Sequence, residues 1–179
     1  MKQITQDLNE KISLKRITKQ DLEILKKWRN DKEIWENNTQ FTLLNIKNQI
    51  KWFSEITKKD TNRKMFLIKY NQKSIGVCGL IHFDKLEKSA DIAIIIGEKN
   101  FQKKGIGKIC LKKLLEIGFN KLKLHRIVAE VLEHNSNSMI FFKKMNFQNE
   151  GTLRENLWRN GKWNDTEIFS ILKSDFIKN

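Results

Sequence analysis

The sequence has 179 residues, 39% of them hydrophobic and 31% charged, which is enough for one domain with its own apolar core. Its longest uninterrupted apolar run, Ile92–Ile96, is too short to cross a membrane, and the segment 1–7 lacks the apolar stretch of a signal peptide. These features predict a soluble, cytoplasmic, globular chain without a membrane partner.

The net charge of +14 comes from 35 lysines and arginines against 21 acidic residues. Such an excess attracts phosphates and nucleic acids. Lysine dominates, however, with 29 lysines spread along the chain against 6 arginines, whereas sequence-specific DNA readers rely on arginine to contact guanine. We therefore expect a lysine-rich surface with a local phosphate site, and nucleic acid is a less favoured partner.

Two cysteines, Cys78 and Cys110, both lie in apolar segments 32 residues apart. Because neither belongs to a cluster of cysteines and histidines, the sequence predicts two buried thiols and no metal site.

The front half of the chain predicts a strand followed by two helices. Residues 12–17 alternate in the manner of a strand, and Thr18, with Asp21 three residues later, is typical of a helix N-cap. Asn45 is expected to cap a second helix. The stretch 31–44 between the helices is polar and aromatic without a clear period, which favours a functional loop. The apolar face of the second helix is expected at Ile46, Ile50, Phe53 and Ile56.

The middle of the chain predicts a hairpin of strands 65–70 and 74–83, followed by a turn at 84–88 and a central apolar strand over 90–96. Further elements are expected as a helix over 105–122, a strand over 125–132, a helix over 135–145, an extended segment over 147–157 and a last strand over 167–172, with a hairpin turn at Gly161. The resulting order, β-α-α-β-β-β-α-β-α-β-β, predicts a mixed α/β fold, and the absence of repeats and linkers indicates a single domain over residues 1–179.

The segment after the central strand has the features of a phosphate-binding site. This segment leads from the strand into the N-terminus of a helix, where unpaired N–H groups and the helix dipole favour an anion. Gly105 and Gly107 lack a Cβ, so phosphate oxygens can approach the backbone. A P-loop is excluded because Ile109 follows Gly107-Lys108, and a dinucleotide fingerprint is excluded because residue 110 is cysteine rather than glycine. A tight turn without a ligand is the alternative.

The motif Gln-x-x-Gly-x-Gly at 102–107, opening an amphipathic helix after an apolar strand, resembles the acetyl-CoA motif of the GNAT N-acetyltransferases. The blocks 125–132 and 135–138, then Phe147 and Glu150-Gly151, resemble the branch of ribosomal-protein N-terminal-alanine and spermidine acetyltransferases. The resemblance covers about residues 12–172. It implies a single domain with a mixed, mostly antiparallel, twisted sheet, flanked by about four helices and with splayed central strands. It further implies acetyl-CoA as cofactor, and members of this branch often form homodimers.

The resemblance also assigns residues to the cofactor. The pantetheine arm of acetyl-CoA would lie along the central strand, and the pyrophosphate would lie against the glycine loop. Asn135 would contact the pantetheine arm besides capping its own helix. The implied cofactor-binding residues are Ile94, Ile95, Ile96, Gln102, Lys103, Lys104, Gly105, Ile106, Gly107, Lys108, Asn135 and Phe142.

The implied reaction is direct attack of a neutral primary amine on the thioester, through a tetrahedral intermediate, with backbone N–H groups near Ile94 polarising the carbonyl. Glu130 stands where some relatives carry a catalytic glutamate, and the alternative is a structural ion pair with Arg126. Many relatives protonate the leaving thiolate with a tyrosine seven residues after the asparagine, but Phe142 stands there. Ser138, one helical turn from Phe142, is the expected thiolate partner, with water as the alternative.

The acceptor is expected in the front half, where family members differ most. His82 and Asp84, at the end of the hairpin, are substrate-side candidates and rival bases. Arg29 in Trp28-Arg29-Asn30, together with the segment 49–53, resembles acetyltransferases of nucleotide-linked amino sugars. An arginine beside aromatic rings could bind a phosphate and stack a base, although aromatic residues at helical spacing are also ordinary core residues.

These features rank a small amine first, such as a nucleotide-linked amino sugar, then a protein N-terminus, then a polyamine, because a basic enzyme repels a polycation. Two other classes stay open. A basic nucleic-acid-binding protein would cluster its arginines, and a non-catalytic CoA-binding module is compatible with phenylalanine at position 142.

Overall fold

The computed structural model describes residues 8–39 and 42–177. Seven strands form one sheet in the order β1-β2-β3-β4-β5-β7-β6. The strands are β1 (Ile12–Arg16), β2 (Lys64–Tyr70), β3 (Lys73–Asp84), β4 (Ser89–Ile96), β5 (Arg126–Leu132), β6 (Gln148–Arg159) and β7 (Lys162–Leu172). Every neighbouring pair is antiparallel except β4 and β5, which confirms the predicted mixed, mostly antiparallel sheet.

Helices flank this sheet. They are α1 (Leu22–Arg29), α2 (Lys32–Trp35), α3 (Ile46–Ile56), α4 (Ile106–Glu116), α5 (Ser136–Lys144) and α6 (Lys173–Ile177). Among the described residues, four of them have eight or more residues, in line with the expected number of flanking helices. None of these helices is long and apolar enough to span a membrane.

Two apolar clusters hold the helices to the sheet. The larger cluster packs α4 against the sheet through fully buried side chains such as Leu111, Leu114 and Ile127. The smaller cluster packs α1 and α3 against β2 and β3, around Leu25 and Trp28. These two clusters hold the helices in place against the sheet.

Local sequence signals account for most of the element boundaries. The Thr18 backbone N–H donates to Asp21 Oδ2 at 2.8 Å, and a 3₁₀ turn, Lys19–Asp21, leads into α1. Asn45 caps α3 by accepting from the Asn48 backbone N–H at 2.9 Å. Asn160 and Gly161 both have positive φ in the β6–β7 turn, as its sequence predicts.

Four expectations were wrong in detail. The stretch 31–44 contains the short helix α2, which Asp31 caps through the Glu33 backbone N–H. Ile50 is 55% exposed instead of buried on the α3 face. The helix predicted over 105–122 changes to a π-helical turn at Ile117–Lys121. The last strand begins at Lys162, because its first half pairs with β6 along a long hairpin.

Both cysteines are buried and reduced, as predicted. Burial raises the pKa of the Cys78 thiol well above its usual range, and the neighbouring Cys110 thiol adds to the effect. The thiols therefore act as apolar core residues.

Candidate active site

The central strands part, as the splayed arrangement requires. β4 and β5 pair in parallel only at Ser89–Arg126, Ala90–Ile127 and Asp91–Val128. Beyond Asp91, the rest of β4 pairs with β3 alone, and β5 pairs with β7. The residues of β4 from Ile92 to Ile96 therefore present one backbone edge to a gap in the sheet.

A cleft of about 520 Å³ opens into this gap. Its volume is within the range of small-molecule sites. On one side the cleft is bounded by Ile92–Ile96 and Gln102, and on the other by Ala129–Val131 and the start of α5. Helices α1, α2 and α3 and the loop at 37–39 close its remaining side.

The glycine loop lies at the end of β4, directly before α4. Gly105 has φ +80° and is the N-cap of α4, so the first N–H groups of this helix face away from the helix body. A Cβ on Gly105 would meet no atom within 4 Å, and one on Gly107 would lie 3.7 Å from the Phe141 ring. Gln102 Nε2 donates to the Ile96 carbonyl at 2.9 Å and anchors the loop to β4. This open, N–H-rich cradle fits a pyrophosphate.

Lysines surround the cradle. Lys103 and Lys108 are exposed, and the Lys104 ammonium lies 5.9 Å from the centre of the Phe101 ring. The Lys73 ammonium, at the start of β3, lies 5.5 Å from the centre of the same ring. Lys73 was not predicted from the sequence, because only the folded sheet brings the start of β3 beside the loop. Ile106 is 1% exposed, so it can offer a ligand only its backbone.

Asn135 and Phe142 lie on the β5 side of the cleft. Asn135 Oδ1 accepts from the Ser138 backbone N–H at 3.1 Å, and its Nδ2 lies 3.4 Å from the Asn37 carbonyl. The expected capping role of Asn135 is thus present. Phe142 packs its ring 5.0 Å from the Phe147 ring and lines the cleft with one face.

The two predicted catalytic residues both line the cleft. Glu130 Oε1 accepts from Asn156 Nδ2 at 2.7 Å, and Asn156 also donates to Thr166 Oγ1. Ser138 lies on the first turn of α5, across the cleft from β4. The arrangement gives the cleft a carboxylate and a hydroxyl that can exchange protons with a bound molecule.

The alternative ion pair between Glu130 and Arg126 is not formed. Arg126 instead donates to both oxygens of the Glu150 carboxylate through its two guanidinium Nη atoms. Arg126 and Glu130 lie four residues apart on β5, whereas Glu150 lies on β6, at the register irregularity between Asn149 and Gly151. Glu130 therefore lines the cleft and has no cationic partner among the residues of β5.

Of the two hairpin candidates, His82 lines the cleft and Asp84 does not. His82 Nδ1 lies 2.7 Å from Asp91 Oδ2, and Asp91 also lines the cleft. Asp84 Oδ1 instead accepts the backbone N–H groups of Leu86 and Glu87 and closes the β3–β4 turn. The expectation that Asp84 contacts substrate is thus corrected by its turn-forming role. Asp91 was missed, although a lone carboxylate inside the apolar run 90–96 was the available signal.

The front-half candidates divide in the same way. Arg29 lines the cleft, and burial lowers the pKa of its guanidinium. Trp52 lines the cleft, whereas Trp28 is a core residue with 2% exposure and Phe53 packs in the smaller cluster. Arg63 and Glu33 also line the cleft and carried no sequence signal. Gln40 and Phe41, in the stretch 31–44, lie outside the described residues.

Comparisons with known proteins agree with this geometry. A family model described as an acetyltransferase (GNAT) domain matches residues 11–148. An uncharacterised N-acetyltransferase, p20, of Bacillus licheniformis is 29% identical over 171 residues, which span 93% of this chain and 96% of the relative. A spermidine N(1)-acetyltransferase of Vibrio cholerae is 29% identical over 119 residues, which span 66% of this chain and 68% of the relative.

Solved acetyltransferase structures have a similar fold. A crystal structure of spermidine N-acetyltransferase from Vibrio cholerae, in complex with CoA and spermine, superposes with a TM-score of 0.87 at 22% identity. The match covers 94% of this chain and 99% of that one. With a family model matched over most of the chain, and a cradle and splayed strands that fit the cofactor, this chain belongs to the GNAT acetyltransferase family and is an acetyl-CoA-dependent N-acetyltransferase.

Proposed function

We propose that the enzyme acetylates a small primary amine that binds in the cleft between β4 and β5. The observation that carries the proposal is the division of the cleft into two ends. The end at Ile94–Ile96 and Gln102 leads to the phosphate cradle, whereas the end at His82 and Asp91 is polar and charged. The proposal treats residues 1–179 as one catalytic domain, because one sheet supplies both walls.

The cofactor side of the proposal rests on backbone groups. The glycine loop and the α4 N-terminus would hold the pyrophosphate, and the exposed edge of Ile94–Ile96 would pair with the amides of the pantetheine arm. Acetyl-CoA supplies the acetyl group as a thioester. N–H groups of the same β4 edge would polarise the carbonyl that the amine attacks.

We assign the proton transfers to Glu130 and Ser138, two side chains that line the β5 side of the cleft. Glu130 takes a proton from the amine nitrogen, and its carboxylate is oriented by the hydrogen bond from Asn156. Ser138 Oγ supplies a proton on the leaving-group side, in the place where Phe142 cannot. Phe142 and the neighbouring rings exclude water from this part of the cleft.

For the acceptor, we favour an amine that carries an anionic group, such as a nucleotide-linked amino sugar. Arg29 and Arg63 place two guanidinium groups in the acceptor half, and Trp52 adds an aromatic face beside them. The net charge of +14 steers anions toward the protein and polycations away from it.

A polyamine is the second candidate acceptor. Three carboxylates, on Glu33, Asp91 and Glu130, line the cleft and could bind a chain of ammonium groups. A relative named spermidine N(1)-acetyltransferase supports this candidate.

Two measurements test the proposal. Thermal unfolding with acetyl-CoA at about 100 times its Kd should show a stabilisation of about 2.7 kcal/mol, and ATP and NAD should not reproduce it. Release of free thiol from acetyl-CoA is then measured with a nucleotide-linked amino sugar, spermidine and a peptide with a free α-amine. Amine-dependent thiol release supports the proposal, and the preferred amine decides between the acceptors. Binding of acetyl-CoA without turnover of any amine would favour a non-catalytic CoA-binding module.

A further inference from the structure

The pair formed by His82 and Asp91 lies at the vertex of the splay, where β4 leaves β5. His82 Nδ1 and Asp91 Oδ2 are 2.7 Å apart, and both side chains line the cleft. Among the described residues, Asp91 is the hydrogen-bond partner of the His82 ring. The two side chains are 49% and 43% exposed, so the pair contacts both the cleft and solvent.

The backbone at His82 is unusual for a strand. His82 has φ +52°, in the left-handed region that disfavours side chains with a Cβ, and the β3–β4 register shifts between Ile81 and Asp84. The irregularity lies at the residue whose imidazole contacts Asp91 on β4. Strained conformations of this kind persist where the surrounding structure holds them, and they cluster at functional sites.

Acetylation of an amine requires the removal of two protons, whereas Glu130 and Ser138 handle one. A primary amine such as that of lysine has a pKa of about 10.4 and is an ammonium ion at neutral pH. Forming the amide removes two protons from that ammonium, of which one ends on the thiol. The other proton must leave before the attack, since an ammonium ion has no lone pair.

We infer that His82 is the base that takes this first proton and that Asp91 is its positioning residue. The inference rests on the proposed function. In this step an N–H bond of the bound ammonium breaks and a bond from hydrogen to His82 Nε2 forms. Asp91, which accepts from Nδ1–H, stabilises the imidazolium, and the imidazolium then passes the proton to water at the open side of the cleft.

Charged groups of both signs share the cleft with His82. Those that share its cleft are Arg29 on α1, Glu33 on α2, Arg63 before β2, Asp91 on β4 and Glu130 on β5. Of these groups, the Asp91 carboxylate is the one in hydrogen-bond contact with the imidazole, 2.7 Å from Nδ1.

The first test reads the His82 tautomer and needs no turnover. Side-chain nitrogen NMR is recorded across pH, and the variant His82→Gln identifies the His82 signals among those of the three histidines. The neutral ring is expected to carry its proton on Nδ1, and Asp91→Asn is expected to shift the proton toward Nε2. A wild-type ring protonated on Nε2 would overturn the inference.

The second test compares two amines that differ in ionisation. At neutral pH ethylamine is protonated, whereas trifluoroethylamine is neutral and has no first proton to lose. His82→Gln should lower kcat/KM for ethylamine about 100-fold and leave that for trifluoroethylamine within about tenfold of wild type. An equal loss for both amines, or no loss for either, would overturn the inference.

Two controls separate this inference from the proposed function. His125→Gln removes an exposed histidine outside the cleft and should leave both kcat/KM values unchanged. If wild type binds acetyl-CoA but acetylates neither amine nor any member of the acceptor panel, the proposed function fails. The tautomer measurement still decides whether His82 presents a basic nitrogen.

Discussion

Trp28 Nε1 donates a hydrogen bond to Glu98 Oε1 at 3.0 Å, across 70 residues of sequence. The bond ties α1, on the acceptor side, to the residues that follow β4 and lead into the cofactor loop. Between the two partners lies Gly97, whose missing side chain leaves room for the indole ring. The acceptor helix and the cofactor loop therefore share one packing contact.

Replacement of Gly97 by alanine should destabilise the fold. A Cβ at this position would lie 2.1 Å from Trp28 Cγ, and the ring is 2% exposed and held by the Glu98 hydrogen bond. Overpacking of this kind costs about 1–3 kcal/mol, and a rigid ring places the cost near the upper end. Urea denaturation of Gly97→Ala measures the loss of unfolding free energy.

Gly107→Ala is the matched control for stability. Its Cβ would lie 3.7 Å from the Phe141 ring, an ordinary contact, and alanine is favoured over glycine in a helix by about 0.5–1 kcal/mol. Gly107→Ala should thus be at least as stable as wild type. If Gly97→Ala were equally stable, the packing of Trp28 on Gly97 would not be tight in solution.

Glu150 gives the stability a defined pH dependence. Hydrogen bonds from Arg126 and then from Ser170 lower the pKa of Glu150 to about 2 from its usual value of 4.5. Because the folded-state pKa lies below the unfolded one, this stabilisation is present above about pH 4.5 and is lost as pH falls toward 2. Glu150→Gln should lower the unfolding free energy at pH 7 by at most about 1 kcal/mol, since the pair is partly exposed.

The check is a series of urea denaturation curves for wild type and Glu150→Gln from neutral to acidic pH. The difference between them should shrink as pH falls through the window between 4.5 and 2. Glu87→Gln, at an exposed turn position, should give a difference that does not follow this window. A gap between wild type and Glu150→Gln that stays constant with pH would contradict the assignment.

The sequence predicted the sheet elements and the cofactor loop because their signals are local. The glycines at 105 and 107 follow an apolar strand directly, and the N-cap residues Thr18 and Asn45 stand next to the helices that they cap. The splay followed from the family resemblance, since no local pattern distinguishes Ile92 from Ala90. Helix α2 escaped prediction because four residues are too few to show a period.

The acceptor half of the cleft was harder to predict because it depends on contacts between distant segments. His82 meets Asp91 at a register shift in the β3–β4 hairpin, which residue spacing does not show. Arg126 on β5 binds Glu150 on β6 across the intervening strand β7, whose Ser170 also donates to Glu150. Pairings of this kind are decided by the sheet order, which residue spacing does not encode.

Ser138→Ala tests the proton donor on the leaving-group side. We expect kcat to fall about tenfold. This loss is smaller than the usual effect of removing a positioned acid, because water can replace the hydroxyl. Adding Phe142→Tyr to this variant should restore part of the loss, since the Phe142 ring lines the same cleft one helical turn away. Steady-state kinetics of the three proteins measures the effect.

Ser136→Ala is the control on the same helix, because Ser136 is exposed and does not line the cleft. It should keep the wild-type kcat. If Ser138→Ala also kept it, water would be the proton donor, and Phe142→Tyr would then have no loss to restore.

Glu130→Gln tests the base that acts on the attacking nitrogen. Glutamine keeps the size of the side chain and one oxygen that can accept from Asn156, but it cannot take a proton. We expect kcat to fall about 100-fold, with the loss most evident on the acid side of the pH profile. The acetyl-CoA-induced rise in Tm should be unchanged, because Glu130 belongs to the acceptor half of the cleft.

The control for Glu130 is Glu133→Gln, an exposed glutamate just beyond the same strand and outside the cleft. Its kinetics should match wild type. If Glu130→Gln kept the wild-type kinetics, His82 would be the base for both protons. The imidazole would release the first proton to solvent before it takes the second. The ratio of the Glu130→Gln and His82→Gln effects on trifluoroethylamine distinguishes these cases, since that amine requires only the second proton transfer.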